Sequence, residues 1–442
     1  MAVIKYPANV SKFYLLKLSI PIFFSNLAIP MTGIVDTALM GHLDSELFLV
    51  ATSIATNIIL LIFWSFGFLR MGTVGLVSQA MGKGDYREIV LIVLRNIILV
   101  IFISILLLFL YIPIINFIDI FFNVSDKTLS FIKQYIFIRL FSAPAEFIIY
   151  ILIGFYLGLQ KTHISSLITI FFSLINIILS ILLVAQFKLQ IAGVAFGTLG
   201  SAYITVIIFS IFTYFYIIKN LKIIPRINVK IFNIKKIYKL IQINFDIFIR
   251  TVLLTFSFLW ISYLSSKLGE EYVAVNSILI QLVTIAAFFL DAYAFSTEGV
   301  VGYNLGRRAQ KTFLTTVKNS IELSFFTAII ISILYIFISK EIINLMTNLD
   351  IIRYLSYEFI IWIIIIPPVA SFCYQFDGIF IGATQTKEMK YSMIISVSIY
   401  IFISMFLLKL LGNHGIWISL IFLYILRALT LNLFFYKILR KF

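Results

Sequence analysis

At 442 residues, with 62% hydrophobic and 12% charged side chains and a mean hydropathy of +1.09, the chain falls outside the soluble globular class, where those fractions run at about 45–50% and about 25%. Its net charge of +15 does not point to nucleic acid, because the basic residues are spread over short loops between apolar blocks. The single cysteine, Cys373, excludes an internal disulfide framework.

Twelve apolar blocks are predicted to cross the membrane as helices, each long enough for ~30 Å of hydrocarbon. They cover 14–41, 47–80, 90–112, 131–158, 163–185, 191–218, 240–266, 273–303, 313–338, 355–382, 389–411 and 415–436. The first block runs past Ile20 to Met40 without a small-residue cleavage pattern, so no cleavable signal peptide is expected. It also contains Asp36, in NLAIPMTGIVDTALMGHL, six residues after Pro30 and fifteen after Pro21. A charge at mid-bilayer costs roughly 2.5–3.5 kcal/mol on insertion scales, so it calls for an explanation. The prolines each remove a backbone hydrogen bond and mark this span as a moving part. Asp36 reads as a group that takes up and releases a proton. The alternative is a structural pair with a neighbouring helix, although no cation lies near it in sequence.

Glu146, in the SAPAEF segment of the fourth span, reads as reaching the outer interface. In the fifth span Asn176 and Ser180 are four residues apart and share a helix face. Thr198 of the sixth span is placed to complete a polar pocket with them; interhelical hydrogen bonding is the alternative for all three. A basic linker, 219–239, then separates an amino-terminal lobe, 1–218, from a carboxyl-terminal lobe, 240–442. In the second lobe Asp291 and Glu298 lie seven apart on one face of the eighth span, and Asp377 sits in the tenth. Arg70, Arg139, Arg250 and Arg427 are also inside spans. These charges either pair with one another as scaffold or serve transport, and the sequence leaves both readings open. His42, His163 and His414 fall at span ends without metal-ligand spacing, and no phosphate-binding glycine loop or nucleophile elbow is present. Neither a metal site, a cofactor, enzymatic activity nor direct use of ATP is expected.

Lys and Arg are distributed unevenly: 23 lie at the amino terminus, the even-numbered loops and the carboxyl terminus, and seven at the odd-numbered loops. That asymmetry predicts cytoplasmic termini and a cytoplasmic linker. The sequence also repeats at an offset of 224 residues, which pairs Gly82 with Gly306, Pro144 with Pro368, Gly154 with Gly378, Gly158 with Gly382 and Thr162 with Thr386. Six spans per half is an even number, so the halves are parallel repeats, an arrangement that favours alternating access. Asp36 has no acidic twin; at an offset of 225 it meets Ile261.

The segments LSIPIFFSNLAIPMTGIVDTALMGHL, FWSFGFLRMGTVGLVSQAMGKGD, RLFSAPAEFIIYILIGFYLG and CYQFDGIFIGATQTKEM resemble the DinF branch of the multidrug and toxic compound extrusion (MATE) family, and the likeness extends over essentially the whole chain. The resemblance implies an all-α integral membrane fold of two six-helix lobes in a bacterial inner membrane. It also implies antiport of organic, often cationic, compounds against protons or sodium, without an obligate protein partner. By the same resemblance Asp36 is the coupling and substrate-binding aspartate, Asn176 and Thr198 are its polar partners, and Pro21 is a bending proline. Asp291, Glu298 and Asp377 are the acidic positions of the second lobe. Where many relatives carry a second aspartate, this chain has Ser180. Fewer anionic ligands favour protons over sodium, since hard cations prefer several oxygens. The alternative reading is a lipid-linked precursor flippase, which calls for a strongly basic cavity or extra helices.

Overall fold

The protein is described by a computed structural model over residues 6–7, 10–43, 45–122, 124–225 and 229–442. Residues 226–228 of the expected linker therefore lie outside the described residues. Every described element is helical. In chain order they begin with α1 (Lys12–Gly41), α2 (Glu46–Ser65), α3 (Phe68–Gly82), α4 (Tyr86–Phe109), α5 (Tyr111–Phe122), α6 (Asp126–Leu140), α7 (Ala143–Gly158), α8 (Thr162–Ile181) and α9 (Gln190–Tyr216). There follow α10 (Ile234–Ser266), α11 (Glu270–Gly306), α12 (Gln310–Met346), α13 (Asp350–Glu358), α14 (Ile360–Gly382), α15 (Thr386–Leu411), α16 (Asn413–Phe434) and α17 (Tyr436–Leu439). Polar side chains set several starts: Ser45 accepts from the Leu47 N–H, Asp85 from the Glu88 N–H and Ser125 from the Thr128 N–H.

Among the described residues eleven helical runs are long and apolar enough to cross a membrane, and a bent pair, taken as one span, supplies a twelfth. That pair is the fourth span, read from sequence as the single segment 131–158. It is broken instead, with α6 and α7 meeting at 47°. Pro144, in the first turn of α7, lacks the N–H that would continue the ladder, and Ser142 Oγ lies 2.6 Å from the Arg139 carbonyl at the break. The tenth span also begins later than expected: residues 355–358 belong to the separate helix α13. Large apolar side chains such as Phe109, Phe121 and Phe402 stand more than two-thirds exposed, as they do on helices solvated by lipid.

The chain divides into two compact units, Met1–Tyr6 with Phe24–Leu240, and Pro7–Phe23 with Ile241–Phe442. The first half of α1 thus belongs to the second unit, where Leu15 and Leu18 pack with Val300 and Ser19 Oγ lies 2.9 Å from Ser296 Oγ. Its second half, with Asp36, belongs to the first. The exchange falls between Phe23 and Phe24, inside the stretch bounded by Pro21 and Pro30.

Each unit repeats the other's internal register. A Cβ on Gly154 would stand 2.6 Å from the Arg70 carbonyl oxygen, and one on Gly378 would stand 2.6 Å from that of Ala294. One turn on, Gly158 faces Val74 and Val77, and Gly382 faces Glu298 and Val301. All three partner pairs are 224 residues apart, so the α3–α7 crossing recurs as the α11–α14 crossing. The left-handed turn residues recur at the same offset: Gly84, Gln160 and Lys188 answer to Arg308, Thr384 and Gly412. The physical requirement is backbone contact between helices, which only glycine permits. Gly154→Ala and Gly378→Ala should each cost about 1–3 kcal/mol by overpacking. Gly33→Ala, with nothing within 4 Å of its added methyl, should be neutral or gain up to about 1 kcal/mol. Thermal unfolding of the purified variants in detergent checks that ordering.

Candidate functional site

α1 carries Asp36 into the interior of the first unit, where the residue is 9% exposed. Ser180 of α8 and Arg139 of α6 are close enough to act on its carboxylate directly, and Tyr135, one turn before Arg139, lies within its electrostatic reach. Tyr135 in turn accepts a hydrogen bond from Thr56 of α2 at 3.1 Å. One turn before Ser180, Asn176 donates from Nδ2 to Thr198 Oγ1 of α9 at 2.8 Å. The approach of α8 to α9 depends on Gly197, where a Cβ would stand 2.6 Å from Ser180 Oγ and 2.9 Å from Ser180 N. The structure therefore gathers Asp36, Asn176, Ser180 and Thr198 in one interior.

The cation that Asp36 lacks in sequence is Arg139 in space, but that guanidinium is already engaged. Nη1 donates to Ser142 Oγ at 2.7 Å and to Glu146 Oε1, and the group lies over the Phe63 ring, 5.2 Å from its centroid. This corrects the expectation for Glu146. Its side chain is 12% exposed and bound to Arg139 and Ser142 rather than free at an interface. Seven residues apart, the two lie two turns along one helical face, close enough to pair across the break before Pro144. Because Glu146 balances Arg139, the Asp36 charge keeps no full counter-charge. Asp36 Oδ1, Asn176 Oδ1 and Ser180 Oγ are buried without a regular hydrogen bond among the described residues. Three unspent oxygens on two helices form a site with two acceptors, Asp36 Oδ1 and Asn176 Oδ1, and one hydroxyl, Ser180 Oγ, that can donate or accept.

Pro21 and Pro30 both lie inside α1, which remains helical from Lys12 to Gly41.

In the second unit Asp377 Oδ2 accepts from two guanidiniums, Arg250 Nη2 of α10 and Arg427 Nη2 of α16, the latter at 2.6 Å. Asp377, Arg250 and Arg427 are all buried. Asp291, half-buried on α11, lies within electrostatic reach of Cys373, Tyr374 and Tyr424 beside this triad. Glu298 is fully buried two turns further along α11, where its carbonyl meets Gly382. The structure thus brings Asp291 and Asp377 to one region and leaves Glu298 at the next helix crossing.

Two buried polar groupings went unread in the sequence. Asp246 pairs with Lys390 at 2.5 Å and accepts from Thr386 at 3.3 Å. Asn276 bonds Asn413 at 2.6 Å and Trp417 at 2.9 Å. Their partners are more than 130 residues distant along the chain, so no local signal marks them. Among the described residues no group of three or more His, Cys, Asp or Glu could hold a metal ion.

The MatE family model matches residues 21–182 and again 247–407, once in each repeat. DNA damage-inducible protein F of Escherichia coli strain K12 is 31% identical over 94% of this chain and 90% of its own length. The multidrug export protein MepA of Staphylococcus aureus strain N315 is 21% identical over 75% of this chain and 72% of its own length. The solved structure of the Vibrio cholerae MATE transporter VcmN superposes with a TM-score of 0.84 over 96% of each chain, at 17% identity. A duplicated helical membrane fold, a family match in both halves and a full-length relative together show that this chain belongs to the MATE family of multidrug and toxic compound transporters.

Proposed function

We propose that the chain exports small organic compounds by antiport, with Asp36 carrying the coupling proton. The supporting observation is the trio of unspent buried oxygens, Asp36 Oδ1, Asn176 Oδ1 and Ser180 Oγ. Only one of the three belongs to a carboxylate. A sodium ion stripped of water prefers several oxygens and more than one negative charge, whereas a proton needs a single basic atom. Asn176 turns Nδ2 to Thr198, which leaves Oδ1 as its unpartnered atom. A protonated Asp36 could donate to it or to Ser180, and a deprotonated one could not. Protonation therefore changes the bonding available between α1 and α8, and α1 is the helix whose two halves belong to different units. Pro21 and Pro30 bracket the place where a change in α1 would be absorbed.

The lysine-rich ends of the spans face the cytoplasm in this reading, with the protein in a bacterial inner membrane. For a neutral substrate, one proton descending ~100 mV releases about 2.3 kcal/mol and each pH unit adds about 1.4 kcal/mol. Those two contributions sustain export against a gradient of a hundredfold or more. For a monovalent cation exchanged one for one, the electrical contribution cancels and about tenfold per pH unit remains. The test is transport of a labelled organic cation into proteoliposomes with proton and sodium gradients imposed separately. Transport driven by the pH gradient alone is the expected result. Dependence on sodium with no response to pH overturns the proton assignment, and no transport under either gradient overturns antiport.

A further inference from the structure

Three helix ends of the first unit, those of α3, α4 and α10, enclose a cavity of about 200 Å³ on the lysine-rich side. At about 30 Å³ per water, that is room for a phosphate group with part of its hydration. Lys83, Lys236 and Lys239 border it, and Leu76, Ile92 and Leu240 form its apolar wall. Both acidic residues at the cavity are already committed. Asp85 Oδ1 caps α4 by accepting from the Glu88 N–H at 3.0 Å. Glu88 binds Arg95 through Oε1 at 2.8 Å and Lys236 through Oε2 at 2.5 Å. Lys83 and Lys239 are left without an ion-pair partner among the described residues, yet they stand near enough to repel one another. The fold holds them there. Arg95, itself 5% exposed, donates from Nε to the Ile231 carbonyl and from Nη2 to the Lys230 carbonyl, each at 3.0 Å, and so fastens the linker onto α4.

We propose that this cavity binds the phosphate of an anionic phospholipid headgroup, clamping the linker to α3 and α4. The surplus positive charge accounts for the anion, and the apolar wall at the ends of membrane-spanning helices selects a lipid over a soluble phosphate. The proposal does not depend on which ion drives transport. It is tested by native mass spectrometry of the full-length protein in detergent, titrated with short-chain phosphatidylglycerol and, separately, phosphatidylcholine. Phosphatidylglycerol should bind in preference, and Lys83→Gln with Lys239→Gln should weaken it about 25-fold, at roughly fivefold per charge near an anionic surface. The matched pair Lys219→Gln with Lys222→Gln should leave affinity within about twofold, and Lys83→Arg with Lys239→Arg should retain it. Elution at the wild-type position on size exclusion shows that each variant is folded. Equal loss in both glutamine pairs, or no loss in the first, overturns the site. Competition by inorganic phosphate at concentrations comparable to the lipid overturns the lipid assignment.

Discussion

Asp36→Asn should abolish pH-driven transport while leaving the protein at least as stable as the wild type. The substitution keeps the size and polarity of the side chain and removes only its capacity to ionise. If proton uptake there is the coupling event, substrate movement driven by an imposed pH gradient falls to the level of protein-free liposomes. The stability half of the prediction follows from the pairing geometry. Removing one partner of a buried ion pair costs about 3–5 kcal/mol because the other charge is stranded. Asp36 strands nothing, since its nearest cation, Arg139, is held by Glu146 and Ser142. Unfolding should therefore occur at the same temperature or higher, and binding of substrate without a gradient should survive in part. Loss of stability together with transport would show Asp36 to be scaffold, and full pH-driven transport would show that the proton travels elsewhere.

The depth of Asp36 was legible because a single carboxylate stands out in a 28-residue apolar segment. Its surroundings were legible only where they follow helical arithmetic. Asn176 and Ser180 are one turn apart, so their shared face could be read; Thr198 was expected beside them, and the structure adds its specific bond to the asparagine. Arg139 and Glu146 stand seven apart and obey the same arithmetic, but Pro144 between them disguised the face they share. The repeat was legible at its glycines because backbone contact leaves no substitute for glycine. It was illegible at the left-handed turns, where Gly84 is answered by Arg308 and Lys188 by Gly412. There the turn geometry is conserved between halves without the residue that would announce it. The triad of the second unit had no local signal, because Arg250 and Arg427 reach Asp377 from 127 and 50 residues away.

That triad yields an asymmetric expectation. Two buried guanidiniums share one carboxylate oxygen, so the three residues are not interchangeable. Arg427→Gln leaves Arg250 and Asp377 as a neutral pair, and Arg250→Gln leaves Arg427 and Asp377 likewise. Asp377→Asn leaves two like charges facing one another in the interior. Asp377→Asn should therefore be the most damaging, at about 3–5 kcal/mol, which is a fall in melting temperature on the order of 10 °C for a unit of this size. Each single arginine change should cost roughly half as much or less, the loss of one charge-assisted hydrogen bond being about 1.5–3 kcal/mol. Asp377→Asn combined with Arg427→Gln should recover part of the loss, because it removes the repulsion along with the carboxylate. Thermal unfolding of the four variants in detergent reads this order directly. Were Asp377 instead a carboxylate that exchanges ions during transport, its amide would fold normally and fail only in the transport assay. Its engagement by two arginines makes it a locked charge centre, in keeping with the proposal that Asp36 of the first unit is the carboxylate that exchanges its proton.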